Sequence, residues 1–263
     1  MTSNAEDFMI NGGLGIEKKI PRLNEFIAGS ENIVFFGGAG VSTESGIPDF
    51  RSAGGLYGDK SQKIPPEQIL SHTYFYRNTG NFFDYYRKNI LHTDAEPNRA
   101  HIKLAELENA GKLKAVITQN IDGLHQKAGS KNVIELHGSV YRNYCVKCKK
   151  AYDIKYIIES RGVPVCDCLG VVRPDVVLYE ESLDTAVMRN AVESIGAADV
   201  LIVGGTSLVV YPAAGLLRYY GGDKLVIINM SETGDDGRAA LVIRGPIGEV
   251  MGAVDIYMAG QCP

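Results

Sequence analysis

Phe36-Gly37-Gly38-Ala39-Gly40-Val41-Ser42-Thr43-Glu44-Ser45-Gly46-Ile47-Pro48-Asp49-Phe50-Arg51-Ser52 decides how the chain is read. The apolar run before it, Ile33-Val34-Phe35-Phe36, has the length of a short buried strand. Three glycines fall within the next four residues, and Ser42 and Thr43 each carry a side chain suited to starting a helix. A strand, a glycine turn and a helix N-terminus make an anion site, because backbone N–H groups point outward and a pyrophosphate meets no side chain. The dinucleotide fingerprint calls for Gly-x-Gly-x-x-Gly, whereas this chain offers Gly38-Ala39-Gly40-Val41-Ser42-Thr43, with Thr43 in the last place. That piece alone fits a phosphate loop or an ordinary strand-to-helix turn. Gly46-Ile47-Pro48-Asp49-Phe50-Arg51 adds a carboxylate, an aromatic ring and a guanidinium side by side in a Gly/Pro-rich loop, the kind of segment that carries function more than packing.

Outward from this stretch, apolar strands are predicted at residues 114–118, 133–136, 199–203, 225–228 and 241–243. Helical patterns lie between several of them. Ala100, Leu104 and Leu107 share one face of a helix over 98–109 that Gly111 ends, and another helix is predicted over 185–195. Upstream, Ile16, Ile20, Leu23, Phe26 and Ile27 share a helical face, with Pro21 marking either its start or a kink. Apolar strands alternating with helices predict a Rossmann-like α/β fold, a parallel sheet covered on both faces. Ligands of such sheets sit beyond the carboxyl ends of the strands. Residues 53–93 differ: Tyr57, Tyr74, Phe75, Tyr76, Phe82, Phe83, Tyr85 and Tyr86 cluster there and read as a helical cap packed into the main body.

The 263 residues suffice for one large domain or a domain with an insert, and 45% hydrophobic content suits a globular core. A net charge of −4 argues against a nucleic-acid binder. No apolar run reaches about 18 residues, so no membrane span is expected. The start, Met1-Thr2-Ser3-Asn4-Ala5-Glu6-Asp7, lacks the basic and apolar regions of a signal peptide, and a cytoplasmic, monomeric protein is expected. Residues 1–14 read as a polar, lightly docked lead-in, and Cys262 is assigned nothing.

Cys145-Val146-Lys147-Cys148 and Cys166-Asp167-Cys168 are separated by the 17 residues 149–165. Two cysteine pairs at this spacing in a reducing compartment read as a structural zinc site of four thiolates holding a small ribbon. Lys147, Lys149 and Lys150 give the ribbon a basic edge, either a solvated face or a partner contact. His137-Gly138 follows the 133–136 strand, where a histidine serves either as a general base or as a strand cap. His125 reads as holding its loop together, and His72, His92 and His101 as structural or exposed.

Gly38-Ala39-Gly40-Val41-Ser42 with Gly46-Ile47-Pro48-Asp49-Phe50-Arg51-Ser52 resembles the cofactor loop of the sirtuins, the NAD-dependent protein lysine deacylases. The likeness recurs, in the family's order, at Thr118-Gln119-Asn120-Ile121-Asp122-Gly123-Leu124-His125, at His137-Gly138, at Gly205-Thr206-Ser207-Leu208 and at Ile228-Asn229. It implies an NAD-binding body at 1–52, 94–140 and 172–263, a cofactor loop and helical module at 53–93, and a zinc-ribbon insert at 141–171. It also implies the chemistry. The acyl-lysine carbonyl oxygen attacks C1′ of the nicotinamide ribose, nicotinamide leaves, and His137 acts as base on the ribose hydroxyls. Water then gives lysine and O-acetyl-ADP-ribose. Asn120 joins His137 as a catalytic residue.

The same resemblance places the remaining residues. Phe50, Ile121 and Asp122 line the nicotinamide pocket, and Gln119 and Asn120 stand near the ribose. Ala39, Thr43 and Arg51 take the phosphate side, and Thr206, Ser207 and Asn229 the adenosine side, although Thr206 and Ser207 also read as a plain helix cap. Gly38, Gly40, Asp49, Gly205 and Met230 complete the cofactor-binding set. Val177, Leu178, Tyr179, Glu180 and Val209 contact the substrate peptide. The family's usual Phe-Gly-Glu reads Tyr179-Glu180-Glu181 here, and its second Cys-x-x-Cys reads Cys166-x-Cys168. Glu180 and Glu181 suggest basic flanks on the substrate. Members that remove succinyl groups carry Tyr-x-x-Arg. Tyr74-Phe75-Tyr76-Arg77 has that spacing, but alignment on Glu96-Pro97-Asn98 puts Asp84-Tyr85-Tyr86-Arg87 there, so acetyl or another uncharged acyl group is predicted. Mono-ADP-ribosyl transfer and a non-catalytic NAD or ADP-ribose sensor are the alternatives.

Overall fold

The computed structural model describes residues 14–52, 54–58 and 64–256. The lead-in at 1–13 and Cys262 lie outside the described residues. Six parallel strands form the main sheet: β1 (Ile33–Gly37), β2 (Leu113–Thr118), β3 (Val133–Glu135), β7 (Val200–Gly204), β8 (Leu225–Ile228) and β9 (Leu241–Ile243). Their order, β3-β2-β1-β7-β8-β9, reverses direction between β1 and β7. This is the doubly wound arrangement expected of a Rossmann-like sheet, and it opens a crevice at the reversal.

β1 shows why its apolar run is continuous. Val34 and Phe36 pack on one face with α8 (Thr185–Ala197) and the 3₁₀ segment Ala213–Tyr219. Ile33 and Phe35 pack on the other with α1 (Leu14–Ala28), α5 (Arg99–Asn109) and α9 (Ile247–Gly252). All four side chains are fully buried, each contributing roughly 1.5–3 kcal/mol.

Of the two readings of Pro21, the helix start is excluded: α1 runs through it, with Ile16 buried in the first turn and Lys19 Nζ donating to the Val242 carbonyl at 2.8 Å. No helix follows the glycine loop: there are two single 3₁₀ turns, Ala39–Val41 and Thr43–Ser45, and neither has a side-chain cap. Gly46 turns left-handed at φ 83° and Pro48 follows, so a helix has no room to propagate.

The second lobe has its own core. β4 (Gly138–Cys145), β5 (Ala151–Tyr152) and β6 (Val172–Val176) make a three-stranded antiparallel sheet beside α7 (Ile154–Glu159). The short helices α2 (Pro66–Ile69), α3 (His72–Arg77) and α4 (Thr79–Asn89) pack on it. The aromatics of 64–93 therefore do not join the main body's core. Phe75, Phe82, Phe83 and Tyr86 form a third cluster with Val140, Cys145, Ile157 and Val172. Among the described residues no helix is long and apolar enough to cross a membrane.

Candidate active site

The motif blocks all land at one edge, because each follows a strand of the same parallel sheet. Gly38 follows β1, Gln119 follows β2, Gly205 follows β7 and Asn229 follows β8, while His137 stands two residues past the end of β3. A cleft of about 920 Å³ opens there. Of the residues selected from the sequence, Ala39, Gly40, Thr43, Asp49, Phe50, Arg51, Gln119, Asn120, Ile121, Asp122 and His137 line it. So do Gly205, Thr206, Ser207, Asn229, Met230 and the segment Val177, Leu178, Tyr179 and Glu180.

Gly38 and Val209 are not among the lining residues; Val209 is exposed, and Val210 and Tyr211 line the cleft beside it. Gly38 lies under Thr206, its N–H donating to the Gly204 carbonyl at 3.2 Å. The glycines serve a purpose the sequence did not suggest: they let the loops after β1 and β7 touch. Gly40 N–H donates to the Gly205 carbonyl at 2.8 Å, and a Cβ on Gly40 would sit 2.8 Å from Gly205 Cα.

Sequence reasoning assigned Ser42 to a helix cap, but its hydroxyl organises the cleft floor. It donates to Asp122 Oδ2 at 2.6 Å and accepts from Asn120 Nδ2 at 3.0 Å. Asp122 Oδ1 accepts the Leu124 N–H at 2.9 Å, so both carboxylate oxygens are fixed in direction. Asn98 ties the loop to α5: its amide donates to the Val41 carbonyl at 2.7 Å while its Oδ1 accepts the Ala100 N–H at 2.9 Å. Ser42 is separated from Asp122 by 80 residues, and only the fold brings them together.

His137 Nδ1 lies 2.8 Å from the Gln119 carbonyl. A carbonyl only accepts, so Nδ1 carries the proton and Nε2 keeps its lone pair. Burial lowers the imidazole's pKa, partly opposed by that carbonyl, so the ring is neutral and basic at neutral pH. Beneath the floor, the rings of His101 and His125 lie 4.7 Å apart, both buried, and burial holds His101 down at about 4. Neither lines the cleft.

Glu181 is not a free charge for a substrate. Arg173 donates to both its oxygens at 2.8 and 2.9 Å, Leu178 N–H adds 2.9 Å, and His72 Nδ1 approaches at 2.8 Å. Glu180 stands exposed at the cleft with φ 75°, a left-handed conformation that a glycine takes without strain. Its carboxylate accepts the Thr73 N–H at 2.8 Å. Tyr74 and Arg77 do not line the cleft, whereas Tyr86 does. Arg87 is spent elsewhere, donating to the Ile157 and Gly162 carbonyls at 2.9 and 2.6 Å.

In the second lobe, the sulfurs of Cys145, Cys148, Cys166 and Cys168 all lie within 4.8 Å of one another. Cys145 to Cys168 is 3.4 Å and Cys148 to Cys166 is 3.6 Å, close to the roughly 3.8 Å edge of a tetrahedral zinc tetrathiolate. Four thiols this close, with the Lys147 N–H reaching Cys145 Sγ at 3.4 Å, fit a structural zinc. The shortened Cys166-x-Cys168 knuckle closes because Leu169 turns left-handed at φ 62°. Gly170 then lies against the sulfurs, where a Cβ would come 2.6 Å from Cys145 Sγ. Lys150, on the basic edge, pairs with Asp167 at 2.7 Å.

A solved structure of Sir2 with p53 peptide and NAD+ superposes with a TM-score of 0.79 at 41% identity, over 89% of this chain and 95% of that one. The NAD-dependent protein deacetylase of Clostridium perfringens is 60% identical over 242 residues, covering 91% of this chain and 99% of that protein. That of Cutibacterium acnes is 54% identical over 89% of this chain and 96% of its own length. The family model described as Sir2 family matches residues 38–212. With the glycine loop, the strand-end blocks and the histidine converging on one cleft, the chain belongs to the Sir2 family.

Proposed function

We infer that the chain is an NAD-dependent protein lysine deacetylase that converts acyl-lysine, NAD and water to lysine, nicotinamide and O-acetyl-ADP-ribose. The observation that carries this reading is His137, neutral, with Nδ1 bonded to the Gln119 carbonyl and Nε2 unprotonated, lining the same cleft as Asn120. A base is needed there only if a hydroxyl must be deprotonated, as on the nicotinamide ribose after nicotinamide has left.

The remaining residues take these roles. Phe50, Ile121 and the Ser42-anchored Asp122 hold the nicotinamide, with Asp122 accepting from its carboxamide. Ala39, Gly40, Thr43 and Arg51 face the pyrophosphate. Gly205, Thr206, Ser207, Asn229 and Met230 face the adenosine. Acyl-lysine enters along Val177, Leu178, Tyr179 and Glu180, opposite Val209. Arg87 is bound to backbone carbonyls and Arg173 is occupied by Glu181, so neither is free to pair with a charged acyl group, which supports an uncharged one. The solved relatives include Sir2Tm bound to a propionylated peptide, at 41% identity over 89% of this chain. Zinc on the four cysteines holds the ribbon and takes no part in the reaction. We place the protein in the cytoplasm as a monomer.

The test is incubation with acetyl-lysine peptide, with and without NAD. Free nicotinamide and deacetylated peptide are expected only with both substrates. Label from NAD left on the target protein, without loss of acetyl, favours ADP-ribosyl transfer instead.

A further inference from the structure

We propose that the phenols of Tyr57 and Tyr179 form a clasp across the cleft mouth, making Tyr179 a positioning residue for NAD as well as a wall for the substrate. The two hydroxyls share a hydrogen bond although 122 residues separate them. Each end is anchored to a different binding region. Tyr57 sits in the 3₁₀ turn Leu56–Gly58, which folds back on the cofactor loop. Leu56 N–H donates to the Asp49 carbonyl and Tyr57 N–H to the Phe50 carbonyl, both at 2.9 Å. The Tyr57 ring meets Phe50 edge-on at 5.6 Å, with the Arg51 guanidinium 5.7 Å from its centre. Tyr179 is held by the second lobe: its N–H donates to the Leu70 carbonyl at 3.0 Å, and its own carbonyl accepts the His72 N–H at 2.9 Å.

The bond therefore joins Asp49-Phe50-Arg51, on the cofactor side, to the segment that takes the peptide. Burial raises the Tyr57 phenol's pKa, so it stays protonated and able to donate at neutral pH. A phenylalanine at position 179 would have no hydroxyl to offer, so the clasp depends on this tyrosine. A peptide that displaces Tyr179 would slacken the cofactor loop, and one that leaves it in place would hold the loop shut.

The inference rests on the deacetylase reading for its assay, and a double-mutant cycle tests it. Y179F and Y57F are each expected to raise KM for NAD about three- to tenfold, the range for one lost hydrogen bond. The double variant is expected to rise no further than the larger single effect. Losses that multiply, or a Y179F variant whose only change is KM for the peptide, overturn the clasp. NAD affinity by calorimetry on the same four proteins gives a second readout. Its pattern decides the clasp even if the wild-type protein releases no nicotinamide, a result that would sink the deacetylase reading alone.

Discussion

The Arg173–Glu181 pair makes a quantitative demand on stability. Arg173 leaves β6 with its side chain 8% exposed, and Glu181 has 19% exposed. Besides Glu181, the guanidinium bonds the Val176 carbonyl at 3.0 Å and lies 5.4 Å from the Phe75 ring centre. One ion pair thus joins the ribbon sheet, the helical module and the peptide segment. Arg173→Met fills much of the same volume but strands the carboxylate. Removing one partner of a buried pair typically costs about 3–5 kcal/mol, and the lower end applies because Leu178 N–H and solvent still reach Glu181.

A second route gives a similar figure. Burial alone would raise the Glu181 carboxyl, but Arg173, His72 and the Leu178 N–H outweigh it and hold it at about 2, against 4.5. That difference is worth roughly 2 kcal/mol after solvent screening at its open edge. Because the folded pKa is depressed, the stabilisation is complete above about pH 4.5 and drains as pH falls toward 2. Thermal melting of zinc-loaded R173M at pH 7.5 should show a drop of about 4–12 °C for a loss of about 2–3 kcal/mol in a chain this size. R173M with E181Q should recover at least half of it, since no charge is then stranded. A melting point within about 1 °C of wild type, or a double variant worse than R173M, would refute the reasoning.

Other outcomes follow from the cleft and the ribbon. His137→Ala should abolish deacetylation while leaving NAD affinity, measured by calorimetry, within a few-fold; retained turnover removes the base assignment. Since burial lowers the His137 pKa, kcat/KM should be flat at neutral pH and fall only as pH drops through a midpoint below 6.5; a midpoint above 7 contradicts the neutral imidazole. A strong chelator should extract about one zinc per chain and lower the melting temperature, and metal analysis finding none in purified protein removes the tetrathiolate. Acetyl-lysine peptide should outpace succinyl-lysine peptide at least tenfold in side-by-side assays; the reverse order would mean that a cation reaches the acyl end after all.

What the sequence made legible follows from periodicity. Ile33-Val34-Phe35-Phe36 reads as a buried strand from its length and continuous apolar character, and the strand-end blocks had to share an edge once the sheet was parallel. The four cysteines were readable because ligand spacing is local. Ser42 was misread because its partners, Asp122 and Asn120, are distant in the chain and its neighbours resemble a helix start. Glu181 looked like a substrate-facing charge because nothing in the strand sequence Val172-Arg173-Pro174 announces that Arg173 points inward. The aromatics of 64–93 signalled burial, but the main body was the wrong partner. Their partner sheet is assembled from residues 138–176, which alone read as a polar ribbon.

The path by which the chain leaves for the ribbon and returns has one more consequence. Departure begins at Gly138, re-entry ends at Val176, and the two are paired across the ladder. Val177 N–H donates to the His137 carbonyl at 3.0 Å. The pivot of the lobe that carries the four cysteines is thus the peptide bond next to the imidazole, with the segment 177–180 as its other leg. A lost ion or a loosened thiolate would slacken β4 and β6, and both strands run to the peptide bond beside that ring, so the ribbon braces the backbone of the imidazole as well as its own fold.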